Sequence, residues 1–334
     1  MHAMSFQPAL AALGVSLACL WILLSPPVRR LMLDQPNTRS LHEHPVPRSG
    51  GLAIAAGVAA GAAMNWSVAQ QGLALTLTAA AVLAAVSLAD DLFALPTLAR
   101  LAAHLAAAAA ALAFEIGITD PVLFLVLLLA VAWCANLYNF MDGSDGLAGG
   151  MAVIGFGAYA VAAQQSGHAA LGNTSAIIAI ASLAFLLFNF PPARIFMGDA
   201  GSVPIGFLAG ALGVLGWRTG AWPLWFPMLV FAPFACDATL TLLKRLLRRE
   251  RVWQAHRDHY YQRLVRLGFG HRGTAWIEYA AMAGCALTAL LARDAESGLQ
   301  LGAVGAAAVG LIAIACWIDA RWARHVRESG SAHA

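Results

Sequence analysis

The chain has 334 residues, of which 60% are hydrophobic and only 11% charged, with 20 Lys and Arg against 17 Asp and Glu. Soluble domains carry about 25% charged residues, so a soluble globular domain is excluded. The formal charge of +3 gives no ground for a nucleic-acid partner.

Runs of roughly 18 or more apolar residues mark transmembrane helices. In chain order they fall near 6–28, 50–67, 72–89, 99–115, 121–137, 148–164, 170–188, 203–216, 222–243, 274–292 and 299–318. Those near 148 and 203 are short or glycine-interrupted. The expectation is an all-α polytopic membrane protein of about 10–11 helices, with one transmembrane domain over 1–334. The first run reads as a retained helix, not a signal peptide, because Arg29 and Arg30 follow the apolar stretch instead of preceding it. Cys19, Cys134, Cys236, Cys285 and Cys316 stand singly, without metal-site spacing, and read as small buried hydrophobes.

Cytoplasmic loops accumulate Lys and Arg. With the loop after the first helix placed inside, 18 of the 20 cations fall inside and only Arg218 and Arg293 outside. That bias predicts a periplasmic N-terminus and a cytoplasmic C-terminus with a short tail over 319–334. The same alternation puts every chemically loaded loop on the cytoplasmic face: 29–51, 90–98, 136–147, 189–202 and 244–273.

Asp90 and Asp91 close the third run, and a charge in hydrocarbon costs about 2.5–3.5 kcal/mol. Asp142, Asp145 and Asp199 lie on the same face, and so many carboxylates repel unless they share a cation. Mg²⁺ fits, because it takes one or two carboxylates together with substrate phosphates. In Asn136-Leu-Tyr-Asn139-Phe-Met-Asp142-Gly-Ser-Asp145-Gly, Gly143 and Gly146 would let the backbone turn and approach a ligand. A helix starting near Leu147 would aim its amides at an anion. Asn136 and Asn139 can hydrogen-bond a base, sugar or amide. Phe196-Met-Gly-Asp199-Ala-Gly-Ser repeats the glycine–acid arrangement before another apolar run. The fifth loop carries His256, Arg257, His259, Tyr260, Tyr261, Gln262 and Arg263, a cluster of phosphate donors and acid–base groups. Asp237 reads as a buried partner for a cation or as part of the site. His104 and His168 read as packing or surface residues. For His42 and Arg48, a structural clamp and a substrate contact fit equally well.

Together the five motifs resemble the polyprenyl-phosphate N-acetylhexosamine-1-phosphate transferase family over about residues 30–275. The strings are D-x-P-x-x-R-x-x-H-x-x-P-x-P-R-x-G-G from Asp34 to Gly51, the Asp pair, N-x-x-N-x-x-D-G-x-D-G-L from Asn136, and N-x-P-x-x-x-x-F-M-G-D-x-G-S from Asn189 to Ser202. The resemblance implies transfer of a sugar-1-phosphate from a UDP-N-acetyl-sugar to undecaprenyl phosphate, with release of UMP. It implies a multi-pass protein of the bacterial inner membrane, in contact with inner-leaflet lipids and forming a homodimer. Mg²⁺ is the implied cofactor, with Mn²⁺ as a substitute. Carried over by position, Asp199 is a metal ligand joined by Asp142 and Asp145. Asp90 acts on the lipid phosphate beside Asp91, and Asn139 belongs to the nucleotide loop. His259 contacts diphosphate, and Asn136, Asn189, Arg194, His256, Arg257 and Arg263 bind substrate. The chain departs from the family where Tyr261 and Gln262 replace two histidines. The Ala-His-Arg-x-His-x-Tyr-Gln version is similar to an O-antigen-initiating subgroup that uses UDP-sugars such as N-acetylfucosamine or N-acetylquinovosamine. N-acetylglucosamine, N-acetylgalactosamine and the peptidoglycan precursor phospho-MurNAc-pentapeptide are the other donors weighed.

A transporter would place ionisable groups at the midplane of broken helices, and here only Asp237 and Glu278 fall within apolar runs. Intramembrane aromatic prenyltransferases and CDP-alcohol phosphotransferases also use acids with Mg²⁺, but their spacings do not match Asn139–Asp142 or Gly143–Gly146.

Overall fold

Every predicted apolar run forms helix in the computed structural model, which describes residues 6–36, 41, 44–65, 73–251, 254 and 256–331. Arg39, His42 and Trp66 lie outside the described residues. The elements in order are α1 Phe6–Leu23, β1 Leu33–Asp34, β2 Val46–Pro47, α2 Gly50–Met64, α3 Ala74–Phe93 and α4 Thr97–Ala110, which ends in a π-helical turn Ala111–Glu115. There follow α5 Pro121–Met141, α6 Leu147–Gln165, α7 Ala169–Asn189, α8 Asp199–Thr219, α9 Trp225–Val230, α10 Ala232–Leu247, α11 Tyr260–Leu264, α12 Gly270–Ala292 and α13 Ser297–Ser331. Among the described residues nine helical stretches are long and apolar enough to cross a membrane. The protein is an all-α polytopic membrane protein.

Local sequence sets the element ends. Asp120 caps α5 by accepting the Leu123 N–H at 2.7 Å, with Pro121 as the first helical residue. The run expected over 222–243 is instead two helices meeting at Phe231. Pro233 stands in the first turn of the second helix, where its missing N–H costs nothing. The fifth loop is not all loop, since α11 and a π-helical turn Val265–Phe269 lead into α12 across Gly268. The tail is also not separate: α13 runs on to Ser331, and Arg263 reaches it through Asp319 at 2.8 Å. Of the cysteines, only Cys285 is buried, and Cys316 is exposed on α13.

The buried core runs continuously from Leu20 of α1 to Ala289 of α12. At its centre, α8 packs against α3 and α5 and is enclosed along most of its length. By contrast α13 is bare on nearly every side and wholly apolar from Leu301 to Ile318, as a helix facing lipid is. Since α8 begins at Asp199, the most enclosed helix carries its acid at the end of the bundle where the loops gather.

Candidate active site

The loops assemble by backbone hydrogen bonds. Phe196 N–H donates to the Pro47 carbonyl at 2.7 Å, and Gly50 and Gly51 N–H donate to Phe196 and Met197 carbonyls at 2.9 and 2.8 Å. This stitches the β1–β2 hairpin and the start of α2 to the loop before α8. Asn189 joins that loop to the opening motif: its Oδ1 accepts the Gly146 N–H at 2.9 Å and its Nδ2 donates to the Ile195 carbonyl at 2.9 Å. Gly146, at φ +76°, makes the turn that starts α6 at Leu147, as its position predicts. Gly143 has a different use. A Cβ there would stand 2.1 Å from the Tyr261 hydroxyl, so the missing side chain makes room for that tyrosine, while Gly143 itself lines the cleft between the loops.

These loops enclose a cleft of about 350 Å³. Asn139, Asp142, Asp145, Asn189 and Asp199 line it, as the sequence predicts, together with Asp34, Arg48, Gln262 and His271. Asp142 ends α5 and Asp199 opens α8, where the N-terminal amides favour negative charge. Burial and the neighbouring Asp199 carboxylate push the Asp142 carboxyl well above the usual carboxylate range, against the Gly198 N–H that favours its charge. Asp145 is more fully engaged: its Oδ2 accepts the Ala193 N–H at 2.9 Å, and its Oδ1 lies 3.6 Å from His271 Nδ1.

Among the described residues no three His, Cys, Asp or Glu side chains come together to enclose an ion on their own. The donor set is instead a repelling carboxylate pair open to a cleft. That suits a hard divalent cation whose remaining ligands are phosphate oxygens and water.

The Asp pair separates. Adjacent helical residues point about 100° apart, and here they take different partners. Asp90 pairs with Arg100 Nη1 at 2.8 Å and accepts the Leu95 N–H at 2.8 Å. Asp91 lies 3.3 Å from Arg48 Nη2, and the other charges bearing on it are those of Asp199, Asp90 and Asp34. Neither member lines the cleft itself, but Asp91 is the one that bears on its lining through Arg48, Asp199 and Asp34, and among the described residues its buried Oδ2 has no hydrogen-bond partner.

Other predicted residues stand away from the cleft. Asn136 bonds the Ala132 carbonyl at 3.0 Å and His104 Nδ1 at 3.3 Å, so His104 is a buried partner within the bundle. Arg194 is exposed and lies over the Phe188 ring. Arg263 is buried between Tyr260, Trp322 and Asp319 and ties α11 to α13. Arg257 lies on the loop before α11, where its carbonyl accepts from Arg266.

His259 is buried behind Gln262, with Nδ1 at 3.0 Å from Asp237 Oδ1. Asp237 also accepts the N–H groups of Tyr260 at 2.9 Å and Tyr261 at 3.0 Å. It thus holds the start of α11 through hydrogen bonds and, among the described residues, pairs with no Lys or Arg. His256 lies against His259, ring centroids 4.9 Å apart. Burial, His259 and Arg245 push its pKa down to about 4.

Sequence reasoning missed His271 and Asp34 as cleft residues. His271 Nδ1 lies 2.9 Å from Ser144 Oγ and accepts the Asp145 N–H at 3.3 Å, which leaves Nε2–H to donate to the Leu41 carbonyl at 3.3 Å. The available signal was Gly268 and Gly270, whose positive φ values break the helix just before it.

The fold is that of a polytopic membrane protein with a carboxylate-lined cleft at one end of its helices, and comparison with known proteins identifies its class. The family model described as glycosyl transferase family 4 matches residues 73–216. A decaprenyl-phosphate N-acetylglucosaminephosphotransferase of Mycolicibacterium smegmatis is 30% identical over 73% of this chain and 71% of its own. An undecaprenyl-phosphate alpha-N-acetylglucosaminyl 1-phosphate transferase of Yersinia pestis is 26% identical over 77% and 76%. A phospho-N-acetylmuramoyl-pentapeptide-transferase of Staphylococcus aureus is 31% identical over only 43% and 46%. The chain belongs to the polyprenyl-phosphate N-acetylhexosamine-1-phosphate transferases of glycosyl transferase family 4.

Proposed function

We propose that this protein transfers N-acetylhexosamine-1-phosphate from a UDP-sugar to undecaprenyl phosphate at the cytoplasmic face of a bacterial inner membrane. The products are undecaprenyl-diphosphate-sugar and UMP. The observation that carries this reading is the meeting of Asn139, Asp142, Asp145 and Asp199, from separate apolar helices, around one cleft at the end of the bundle. The concentration of cations in the same loops supports the cytoplasmic face.

An oxygen of the lipid phosphate attacks the β-phosphorus of the UDP-sugar, and the bond from that phosphorus to the oxygen bridging it to the α-phosphorus breaks. UMP leaves with the electron pair. One phosphoanhydride replaces another, so the reaction runs readily in both directions. The acceptor monoester has a second pKa near 6 and is mostly dianionic at neutral pH, so no obligate base is needed. Arg48 receives its charge, and the unpartnered Asp91 oxygen takes the proton from the monoanionic fraction. Asp142 and Asp199 would hold a magnesium ion, which supplies neutralisation of the diphosphate charge when bound. Asn139 and the amides opening α6 orient the nucleotide half.

The full-length relatives carry N-acetylglucosamine in their names, so UDP-N-acetylglucosamine heads the donor panel. UDP-N-acetylfucosamine and UDP-N-acetylquinovosamine follow, since the Tyr261–Gln262 variant suggests a start to O-antigen synthesis. UDP-MurNAc-pentapeptide comes last, because the relative that uses it matches less than half the chain. The test is UMP release from each donor with undecaprenyl phosphate and Mg²⁺, and re-formation of UDP-sugar when UMP is added to product. Absence of UMP release across the panel overturns the reading.

A further inference from the structure

The loop from Asp142 to Gly146 is fastened at both ends by groups outside it. Before it, the Tyr261 hydroxyl donates to the Phe140 carbonyl at 3.1 Å. At its far end Asn189 Oδ1 accepts the Gly146 N–H at 2.9 Å, and the Tyr279 hydroxyl donates to the Gly146 carbonyl at 2.7 Å. The middle has a single anchor for two groups. Among the described residues, the Ser144 hydroxyl and the Asp145 N–H meet only His271 Nδ1, at 2.9 and 3.3 Å.

A backbone N–H can only donate, so Nδ1 is an unprotonated acceptor and the ring proton sits on Nε2. That nitrogen donates to the Leu41 carbonyl at 3.3 Å. Asp145 Oδ1, 3.6 Å from Nδ1, stands beyond hydrogen-bond distance. One neutral ring thus joins two walls of the cleft, since Leu41, Ser144 and Asp145 all line it. With both nitrogens engaged, the ring acts through the loop and not on a ligand. His271 is the second residue of α12, and Tyr279 lies about two turns further along that helix. So α12 grips the loop twice, at its tip and at its end.

We propose that His271 is a positioning residue for the nucleotide-sugar donor: its Nδ1 holds Ser144 and the Asp145 N–H in the arrangement that receives the donor. Because the donor is a substrate of the transferase reading, this role rests on that reading. Without the anchor the loop samples other arrangements, and donor affinity falls with the fraction of time spent in the competent one. Bound donor restores that arrangement, so KM rises and kcat is largely kept. On the acceptor side Arg48 is held separately, its N–H donating to the Met32 carbonyl at 2.9 Å.

Two substitutions split the ring. Asn puts an oxygen where Nδ1 stands and loses the reach to Leu41, whereas Gln reaches Leu41 and loses the acceptor beside Ser144. The test measures UMP release by the full chain in detergent, with undecaprenyl phosphate, Mg²⁺ and the panel donor that the wild type turns over fastest. His271→Ala and His271→Gln should each raise KM for the donor about tenfold through the two lost hydrogen bonds. In both, kcat and KM for undecaprenyl phosphate should stay within about twofold of wild type. His271→Asn should bring donor KM back to within about threefold of wild type. An unchanged donor KM in His271→Ala, rescue by Gln instead of Asn, or equal loss in all three variants overturns the proposal. Amide hydrogen exchange of the peptide spanning 142–147, without substrate, gives a second readout. It should be about tenfold faster in the Ala and Gln variants and close to wild type in the Asn variant. Wild-type exchange in His271→Ala overturns the proposal too. If the wild type releases no UMP from any donor, the transferase reading fails, and the exchange still decides whether His271 holds the loop.

Discussion

Gly51 and Gly201 touch backbone to backbone: a Cβ on Gly51 would stand 2.3 Å from the Gly201 nitrogen, and one on Gly201 would stand 2.6 Å from the Gly51 Cα. Neither of these two neighbours is a side chain, and although Met197 Cγ, 2.5 Å from a Cβ on Gly201, could move aside, the backbone clash is relieved only by parting α2 from α8. Gly51→Ala or Gly201→Ala should each cost about 1–3 kcal/mol of stability, the usual cost of overpacking. The melting temperature in detergent should fall accordingly. Gly157, with nothing within 4 Å of its added Cβ, is the control. Gly157→Ala should leave the melting temperature level or raise it slightly, because Ala favours helix. Equal behaviour of all three variants would refute the contact.

Tyr261 stands where the family resemblance leads one to expect histidine, and its hydroxyl donates to the Phe140 carbonyl at 3.1 Å above Gly143. Gly143→Ala should push this hydroxyl off and lower both stability and turnover. Tyr261→Phe alone should cost about 1 kcal/mol for the lost hydrogen bond. In the double variant the nearest obstacle is the ring carbon, 3.1 Å from the new Cβ, so the two losses should be less than additive. A double-mutant cycle by thermal denaturation measures this coupling, and strict additivity would show the two residues to be independent.

The helices and most of the cleft were legible in the sequence for physical reasons. Apolar runs in lipid must satisfy their backbone as helix, and the glycine–acid strings at Asp142 and Asp199 cannot belong to a packed core. What the sequence hides is which side chain of a cluster faces inward. Arg263 and His259 sit in the same loop as Gln262, yet only Gln262 lines the cleft. Asp237 and Asp319, distant in sequence, draw the other two into the scaffold. His271 was obscured differently, because it contacts Ser144, 127 residues away, and no local pattern encodes that meeting.

His256 should give the protein an acid-sensitive element. Its pKa falls from an ordinary 6.5 to about 4, first through burial and then through His259 and Arg245, with Asp258 and Asp237 opposing. The folded state therefore resists a proton that the unfolded chain takes up. The associated stability is present in full above pH 6.5 and is lost as pH falls from there toward 4. Melting temperatures from pH 7.5 to pH 4.5 should decline less steeply for His256→Gln than for wild type. Parallel curves would remove His256 from the account.

Asp142 and Asp199 should act as a pair toward a divalent ion. Each Asn substitution should lower kcat by about a hundredfold or more, as loss of a transition-state stabiliser does. Mg²⁺ should raise the melting temperature of wild type, because it binds the folded state alone, and this rise should vanish in Asp142→Asn and Asp199→Asn. Asp145→Asn should retain part of it, since that carboxylate already accepts the Ala193 N–H. Full magnesium stabilisation in the Asp199 variant would end the metal assignment.

The resemblance gives the acceptor role to Asp90, whereas the geometry favours Asp91. Asp90 is saturated by Arg100 and by the turn at Leu95, a turn closed by Ala94 at φ +52°. Asp90→Asn keeps an oxygen for the Leu95 N–H and loses mainly an ion pair, worth about 1 kcal/mol or less where partly exposed. Its kcat should stay within about tenfold of wild type, as a helix-end anchor would allow. Asp91→Asn changes a buried carboxylate with a free oxygen beside Arg48. It should cut kcat/KM for undecaprenyl phosphate by about a hundredfold at low pH, as loss of a general acid–base group does, and by far less at pH 7.5, where the acceptor is already dianionic, with little change in melting temperature. The loss should be steepest below pH 6, where the acceptor monoester carries its second proton. A dead Asp90→Asn beside an active Asp91→Asn would return the role to Asp90, and would require Arg100 to release it when substrate binds.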